Sequence, residues 1–163
     1  QTVRRIVETA PEAGIGVLTL FAFSCDNWQR PKLEVAALMR LLAIYLAGEA
    51  SRCGENGVRL QIIGRRDRLS RSLCNAIAAA ERETAAGDRL HLRIAFDYSG
   101  RDAILEAARA VNCVSREQLE SALGPPVDLL IRTGGERRRV PFAGSPRLSD
   151  FGTGAALSGC SGR

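Results

Sequence analysis

The sequence predicts an α/β fold, a mostly parallel sheet with helices on both faces. Three observations support it. Short apolar runs alternate along the chain with stretches whose apolar residues recur at helical spacing. Each apolar run gives way to a polar loop rather than to a tight hairpin turn. No internal repeat organises the 163 residues. Strand–helix alternation of this kind builds a parallel sheet whose crossovers lie on its faces.

The elements follow in order. Val3, Ile6, Val7 and Ala10 define a helix that Pro11 and Gly14 close. Ile15 to Phe23 reads as a buried strand. Pro31 suits the first turn of a long helix from Lys32 to about Cys53. Val58 to Ile63 is a second strand ending at Gly64, and Ser70 to Ala86 an Ala-rich helix. Gly87-Asp88 turns the chain into an alternating strand through Leu90, Leu92 and Ile94. Arg101 to Val111 is helical, and Ser115-Arg116-Glu117-Gln118 fits a capping box for a short helix ending near Leu123. After Gly124-Pro125-Pro126, Val127 to Ile131 reads as a final strand.

A chain of this length fits one domain with a real core. Its 45% hydrophobic and 25% charged content is that of a globular protein. The net charge of +5 invites a nucleic-acid partner, but its placement argues against one. Residues 137–163 hold five arginines against Asp150, which leaves +1 for residues 1–136. That tail also holds five Gly, four Ser and two Pro, a composition suited to disorder or to a shifted reading frame. The division expected is a folded domain over 1–136 and a divergent tail over 137–163. Five widely spaced cysteines without a CxxC pattern read as reduced thiols in a cytoplasmic protein. No apolar run approaches a membrane span. The chain starts at Gln1 inside a helical pattern, so an earlier segment is expected.

Function concentrates at the strand ends. In a parallel sheet all C-terminal strand tips share one edge, where ligands bind. Here the tips read Ser24-Cys25-Asp26-Asn27-Trp28-Gln29-Arg30, Arg65-Arg66-Asp67-Arg68, Asp97-Tyr98-Ser99-Gly100-Arg101 and Arg132-Thr133-Gly134-Gly135-Glu136. Arginines beside glycine turns and helix N-termini suit phosphate or diphosphate. The plainer alternative is ion pairing with Asp26, Asp67, Asp97 and Glu136. Pairing is the better reading for Arg65, Arg66 and Arg68, and ligand contact for Arg30 and Arg132. The long helix is apolar at 13 of the 15 positions from Leu33 to Ala47. It is either buried against sheet and partner subunit or lines a site for a hydrocarbon, with Leu38, Leu41, Leu42 and Tyr45 on neighbouring faces. An anionic head site beside an apolar wall suggests a lipid diphosphate.

From Thr2 to Glu136 the chain resembles the cis-prenyltransferases, the isoprenyl transferases that include undecaprenyl diphosphate synthase. The residues carrying the resemblance are Thr2-Val3-Arg4-Arg5, Leu18-Thr19-Leu20-Phe21-Ala22-Phe23-Ser24, Asn27-Trp28-Gln29-Arg30-Pro31, Leu60-Gln61-Ile62-Ile63-Gly64, and Pro126-Val127-Asp128-Leu129-Leu130-Ile131-Arg132-Thr133-Gly134-Gly135-Glu136. The resemblance implies a Mg²⁺-dependent, typically homodimeric enzyme that condenses isopentenyl diphosphate with an allylic diphosphate to make cis-polyprenyl diphosphate. Carried over by position, Ser24, Cys25, Asp26, Trp28 and Arg30 are substrate contacts, and Asn27 holds the place of a proton acceptor. A neutral amide is a poor base, so Asn27 is better suited to orienting isopentenyl diphosphate, whose phosphate oxygen takes the proton. Arg132 matches a head-group arginine, and Arg147 and Ser149 would complete that site. The long helix matches the wall of the product tunnel.

The chain also departs from the pattern. The family's Asp-Gly-Asn-Gly-Arg loop, whose aspartate serves Mg²⁺, has no counterpart in it, so no metal ligand is expected here and the chain as given is expected to be inactive. About ten extra residues separate Glu136 from Arg147-Leu148-Ser149-Asp150-Phe151. The alternative to an enzyme is a non-catalytic or truncated subunit of a prenyltransferase dimer.

Overall fold

The computed structural model describes residues 2–110, 115–123 and 127–131. The chain divides into two compact units, Gln1–Ser99 and Gly100–Arg163. The first carries α1 (Thr2–Thr9), β1 (Val17–Ser24), a 3-10 helix (Cys25–Gln29), α2 (Lys32–Glu55), β2 (Val58–Ile63), α3 (Arg71–Glu83) and β3 (Leu90–Tyr98). The second carries α4 (Gly100–Ala110) and α5 (Arg116–Leu123).

The sheet has three strands in the order β1-β3-β2, both pairings parallel. Leu18 and Leu60 flank Leu92, and Leu20 and Ile62 flank Ile94. Alternation along each strand therefore puts these residues on one face, where α2 supplies Leu42 and Leu46 and α3 supplies Leu73 and Ile77 to a common core. The outer edge of β2 is closed by side chains of α3 and its C-cap. Leu60 N–H donates to Thr84 Oγ1 at 3.0 Å, and Ile62 N–H donates to Glu81 Oε1 at 2.9 Å. Thr84 Oγ1 in turn donates to Ala80 O at 2.8 Å. An edge strand whose amides are already taken cannot template another chain.

Local signals set most boundaries. Gly14 adopts φ 77 after α1, a conformation that suits glycine, and Ile15 N–H donates to Ala10 O, which delays β1 to Val17. Ser70 caps α3 by accepting from Leu73 N–H at 3.3 Å. Ser115 accepts from Gln118 N–H at 3.3 Å, as the capping pattern predicts, and α5 ends at Leu123. β3 runs four residues beyond Ile94, to Tyr98.

One expected element does not form. Val127 to Ile131 has no regular secondary structure, and Leu129 and Ile131 are about three-quarters exposed. An apolar run becomes a strand only where a neighbouring strand takes up its backbone N–H and C=O groups, and no such ladder exists among the described residues. Among the described residues, no helix is long and apolar enough to cross a membrane.

Candidate active site

β1 ends where its side chains turn polar. Ser24 Oγ accepts from Asp26 N–H at 3.0 Å, and Asn27 Oδ1 accepts from Ser24 N–H at 2.7 Å. This reciprocal cap folds Cys25–Gln29 into a 3-10 helix and uses the Asn27 carbonyl oxygen. Its amide nitrogen donates to no protein group among the described residues, so Asn27 presents a donor outward. With its nitrogen lone pair delocalised and one oxygen lone pair taken by Ser24 N–H, the Asn27 amide is a weak base. Cys25 Sγ lies 3.7 Å from the exposed Asp26 carboxylate. Arg30 closes the turn through its N–H to Asn27 O, and its guanidinium pairs with Glu34 on α2 at 2.6 Å, both side chains about half exposed.

Trp28 points the other way. Its indole packs edge-on to Phe23 with centroids 5.6 Å apart, and Phe23 stacks on Phe96 at 5.1 Å. Its Nε1–H donates to Asp97 Oδ1 at 2.9 Å. Asp97 is fully buried and is the sole non-glycine residue with positive φ (51) among the described residues. Its carboxylate also accepts from both Arg68 Nε, at 3.0 Å, and the Arg68 terminal nitrogen. The Arg68 guanidinium lies over the Trp28 ring, 5.2 Å from its centroid.

The β2 tip is held to the same point through backbone. Gly64, at φ 121, lies so close to β3 that an added Cβ would sit 2.1 Å from Phe96 O. Arg65 N–H donates to Asp97 O at 3.1 Å. Three of the compared strand tips are thus gathered at one edge. Arg65 pairs with Asp67, whose carboxyl that bond holds below the usual carboxylate range. Arg66 pairs with Glu81 at 2.8 Å. Ion pairing is therefore the reading that holds for Arg65, Arg66 and Arg68, although the Arg68 partner is buried rather than on the surface.

Behind the turn lies a cavity of about 1040 Å³ between α1, α2 and the sheet. Leu38, Leu41, Leu42 and Tyr45 all line it from α2, facing Leu20, Ile94 and Phe96 of the sheet. Val3 and Val7 of α1 close the opposite wall, a contribution the sequence reading missed although their helical spacing marked an apolar face. Burial, with Cys53 and Glu49 nearby, pushes the Tyr45 phenol up to about 12. Burial also raises the Cys53 thiol, with Glu49 adding to the effect. α1 is tied to α2 by ion pairs of Arg4 with Glu49 and of Arg52 with Glu8, the second at 3.0 Å. Arg132, Arg147 and Ser149, and the tail from 137 to 163, lie outside the described residues.

No group of three or more His, Cys, Asp or Glu side chains among the described residues could hold a metal ion. Asp97, the one buried carboxylate of the strand edge, already has indole and guanidinium donors on it. These residues do not make a Mg²⁺ site.

The described residues thus build a parallel α/β domain with a polar strand-end turn and an apolar cavity between α1, α2 and the sheet. Comparison with known proteins identifies the family. The family described as "Putative undecaprenyl diphosphate synthase" matches residues 1–151, and the chain belongs to it, the cis-prenyltransferases. The chain is 57% identical over 150 residues to "Isoprenyl transferase 1" of Bradyrhizobium diazoefficiens, covering 87% of this chain and 61% of that protein. It is 44% identical to "Ditrans,polycis-undecaprenyl-diphosphate synthase ((2E,6E)-farnesyl-diphosphate specific)" of Pseudomonas aeruginosa, covering 86% of this chain and 60% of that protein. The crystal structure of a "probable undecaprenyl diphosphate synthase" from Campylobacter jejuni superposes with a TM-score of 0.82 at 34% identity, covering 87% of this chain and 72% of the other. The chain thus spans about three-fifths of the length of the curated relatives it matches.

Proposed function

We propose that this chain carries the isopentenyl diphosphate half of a cis-prenyl transfer site and the apolar tunnel that receives the product. In the reaction, C4 of isopentenyl diphosphate bonds to C1 of an allylic diphosphate, the allylic C–O bond breaks and diphosphate leaves. A proton from C2 then passes to a phosphate oxygen, giving a longer allylic diphosphate with a cis double bond. The observation that carries this reading is the succession in space of a polar turn, an aromatic partition and an apolar cavity, formed by Ser24–Arg30, then Trp28, Phe23 and Phe96, then Leu38, Leu41, Leu42 and Tyr45.

Asn27 Nδ2 donates to a diphosphate oxygen and orients the nucleophilic alkene. The Ser24 and Cys25 side chains and the Arg30 guanidinium contact the same head group. Arg30 leaves its pair with Glu34 at modest cost because both side chains are exposed. Arg132, Arg147 and Ser149 belong to the same head-group site. The cavity keeps water from the allylic cation while the chain grows. About 1040 Å³ lies at the upper end of the range that small-molecule pockets occupy, enough for a polyisoprenoid tail.

A relative in Lavandula x intermedia, lavandulyl diphosphate synthase, was crystallised with dimethylallyl diphosphate. It superposes on this chain with a TM-score of 0.67 at 28% identity, which supports a diphosphate substrate class. Mg²⁺ belongs to this reading as the diphosphate counter-ion, with no step assigned to it through the described residues. A homodimer in the cytoplasm completes the proposal.

The test is direct. Isopentenyl diphosphate binding by the 163-residue chain is measured calorimetrically, then repeated with Asn27→Ala and Arg30→Ala. Loss of about tenfold in affinity is expected in each for charge-assisted head-group contacts, with thermal stability unchanged in Arg30→Ala and slightly lowered in Asn27→Ala, which also loses the cap on Ser24 N–H. Equal binding by all three chains would end the assignment. Incorporation of labelled isopentenyl diphosphate onto farnesyl diphosphate with Mg²⁺ decides whether this segment turns over by itself.

A further inference from the structure

We propose that Asp97 is a positioning residue for the diphosphate site: its buried carboxylate, by holding Trp28 and Arg68 together, sets where Asn27 presents its amide. The proposal rests on the reading of the Ser24–Arg30 turn given above.

Three observations converge on it. The first is chemical. A fully buried carboxylate in the otherwise apolar stretch Ile94-Ala95-Phe96-Asp97-Tyr98 is costly unless its oxygens are met, and here three donors from two different loops meet them. The second is conformational. Asp97 sits in the left-handed region and Gly64 at φ 121 beside it, so both chains take up unusual backbone to make the contact. Such backbone persists only where the surroundings over-determine it, and it clusters at functional sites. The third is positional. Trp28 and Asn27 are neighbours in a 3-10 helix of only five residues. Fixing the indole by its N–H, by the edge of Phe23 and by the guanidinium above it therefore leaves Asn27 one arrangement. The same arrangement engages Asn27 Oδ1 on Ser24 N–H and turns the amide nitrogen outward.

A purely structural ion pair would stabilise the whole domain evenly. A positioning role predicts a local effect. Amide hydrogen exchange in the 163-residue chain separates the two, because Ser24 N–H reports the bond to Asn27 while Leu60 and Leu92 N–H report the sheet. Asp97→Ala is expected to speed exchange at Ser24 about tenfold relative to the sheet amides, and to weaken isopentenyl diphosphate binding by a similar factor. Replacing Trp28 with 3-benzothienylalanine, which keeps the bicyclic ring and removes only the N–H donor, is expected to do the same, and it decides the matter should Asp97→Ala not fold. Asp97→Asn retains an oxygen for Trp28 Nε1 and is expected to restore most of the Ser24 protection. Uniform acceleration across Ser24, Leu60 and Leu92, or unchanged Ser24 exchange in both folded variants, overturns the proposal. If the unsubstituted chain binds no isopentenyl diphosphate, the functional reading falls, while Ser24 exchange in the variants still decides the role of Asp97.

Discussion

Two sets of arginine–carboxylate pairs, one at the strand edge and one at the cavity wall, differ in kind. At the strand edge, Arg68 meets a fully buried Asp97 that also holds Trp28. At the seam between α1 and α2, Arg4, Glu49, Arg52 and Glu8 form a chain of partly exposed contacts, with Arg52 to Glu49 at 3.5 Å. The Asp97 carboxylate has shed its water, so it depends on the donors of Arg68 and Trp28. The exposed chain keeps water and salt as competitors, so its members can exchange partners at little cost. The comparison shows where this fold is rigid and where it can yield. The strand edge around Asp97 is locked, and the α1–α2 wall of the cavity is loosely tied.

Breaking the locked region has the largest expected effect. Arg68→Met leaves the Asp97 carboxylate buried with only Trp28 for company, and a loss of about 3–5 kcal/mol is expected. Urea denaturation reads that loss, and the single tryptophan gives a fluorescence signal at the site itself. Next comes the closed edge of β2. Thr84→Val keeps the shape but strips the acceptor from Leu60 N–H, at an expected cost of about 1–3 kcal/mol in thermal or urea unfolding. At the seam the effect shrinks. Glu49→Gln removes two of the contacts joining Arg4 and Arg52, yet no more than about 1 kcal/mol is expected, and 1 M salt should abolish the difference from the unsubstituted chain.

The remaining effects are in pH. His91, the sole histidine, is held below its ordinary value by burial and by the nearby Arg59 and Arg93 charges. The unfolded chain takes up that proton near pH 6.5 while the fold resists it. The contribution is therefore fully present above about pH 6.5 and declines as pH falls through the lower folded value. An NMR titration of the one imidazole should show a midpoint below about 6.5. Tyr45 works in the opposite sense. Its phenol is favoured neutral, so stability is retained below about pH 10 and lost as pH rises toward about 12. Spectrophotometric titration with Tyr98→Phe isolates that group. A midpoint near 10 would show that the cavity wall is open to water.

Much of the fold was legible because its signals are local. Helical spacing in α1 and α3, Gly14 after α1, and the Ser70 and Ser115 caps each act within a few residues. The four α2 positions read as a hydrocarbon wall do line one cavity, since a helix with apolar residues around its circumference must turn some of them toward a neighbour or a ligand. What failed was non-local. Val127 to Ile131 carries strand-like residues but no strand, because pairing is supplied by another segment. Nothing near Asp97 in sequence announces that this strand-tip aspartate is buried. Its burial depends on Trp28, 69 positions away, and Arg68, 29 away.

By itself the sequence determined the alternation of strands and helices, the polar turn after β1 and the family, because periodicity and motif are written within short stretches of chain. Only the tertiary structure decided that Trp28 faces inward to Asp97 while Asn27 faces outward, and that α1 completes the cavity. Those outcomes depend on which groups lose their water together, and desolvation is a property of the packed assembly rather than of any one segment.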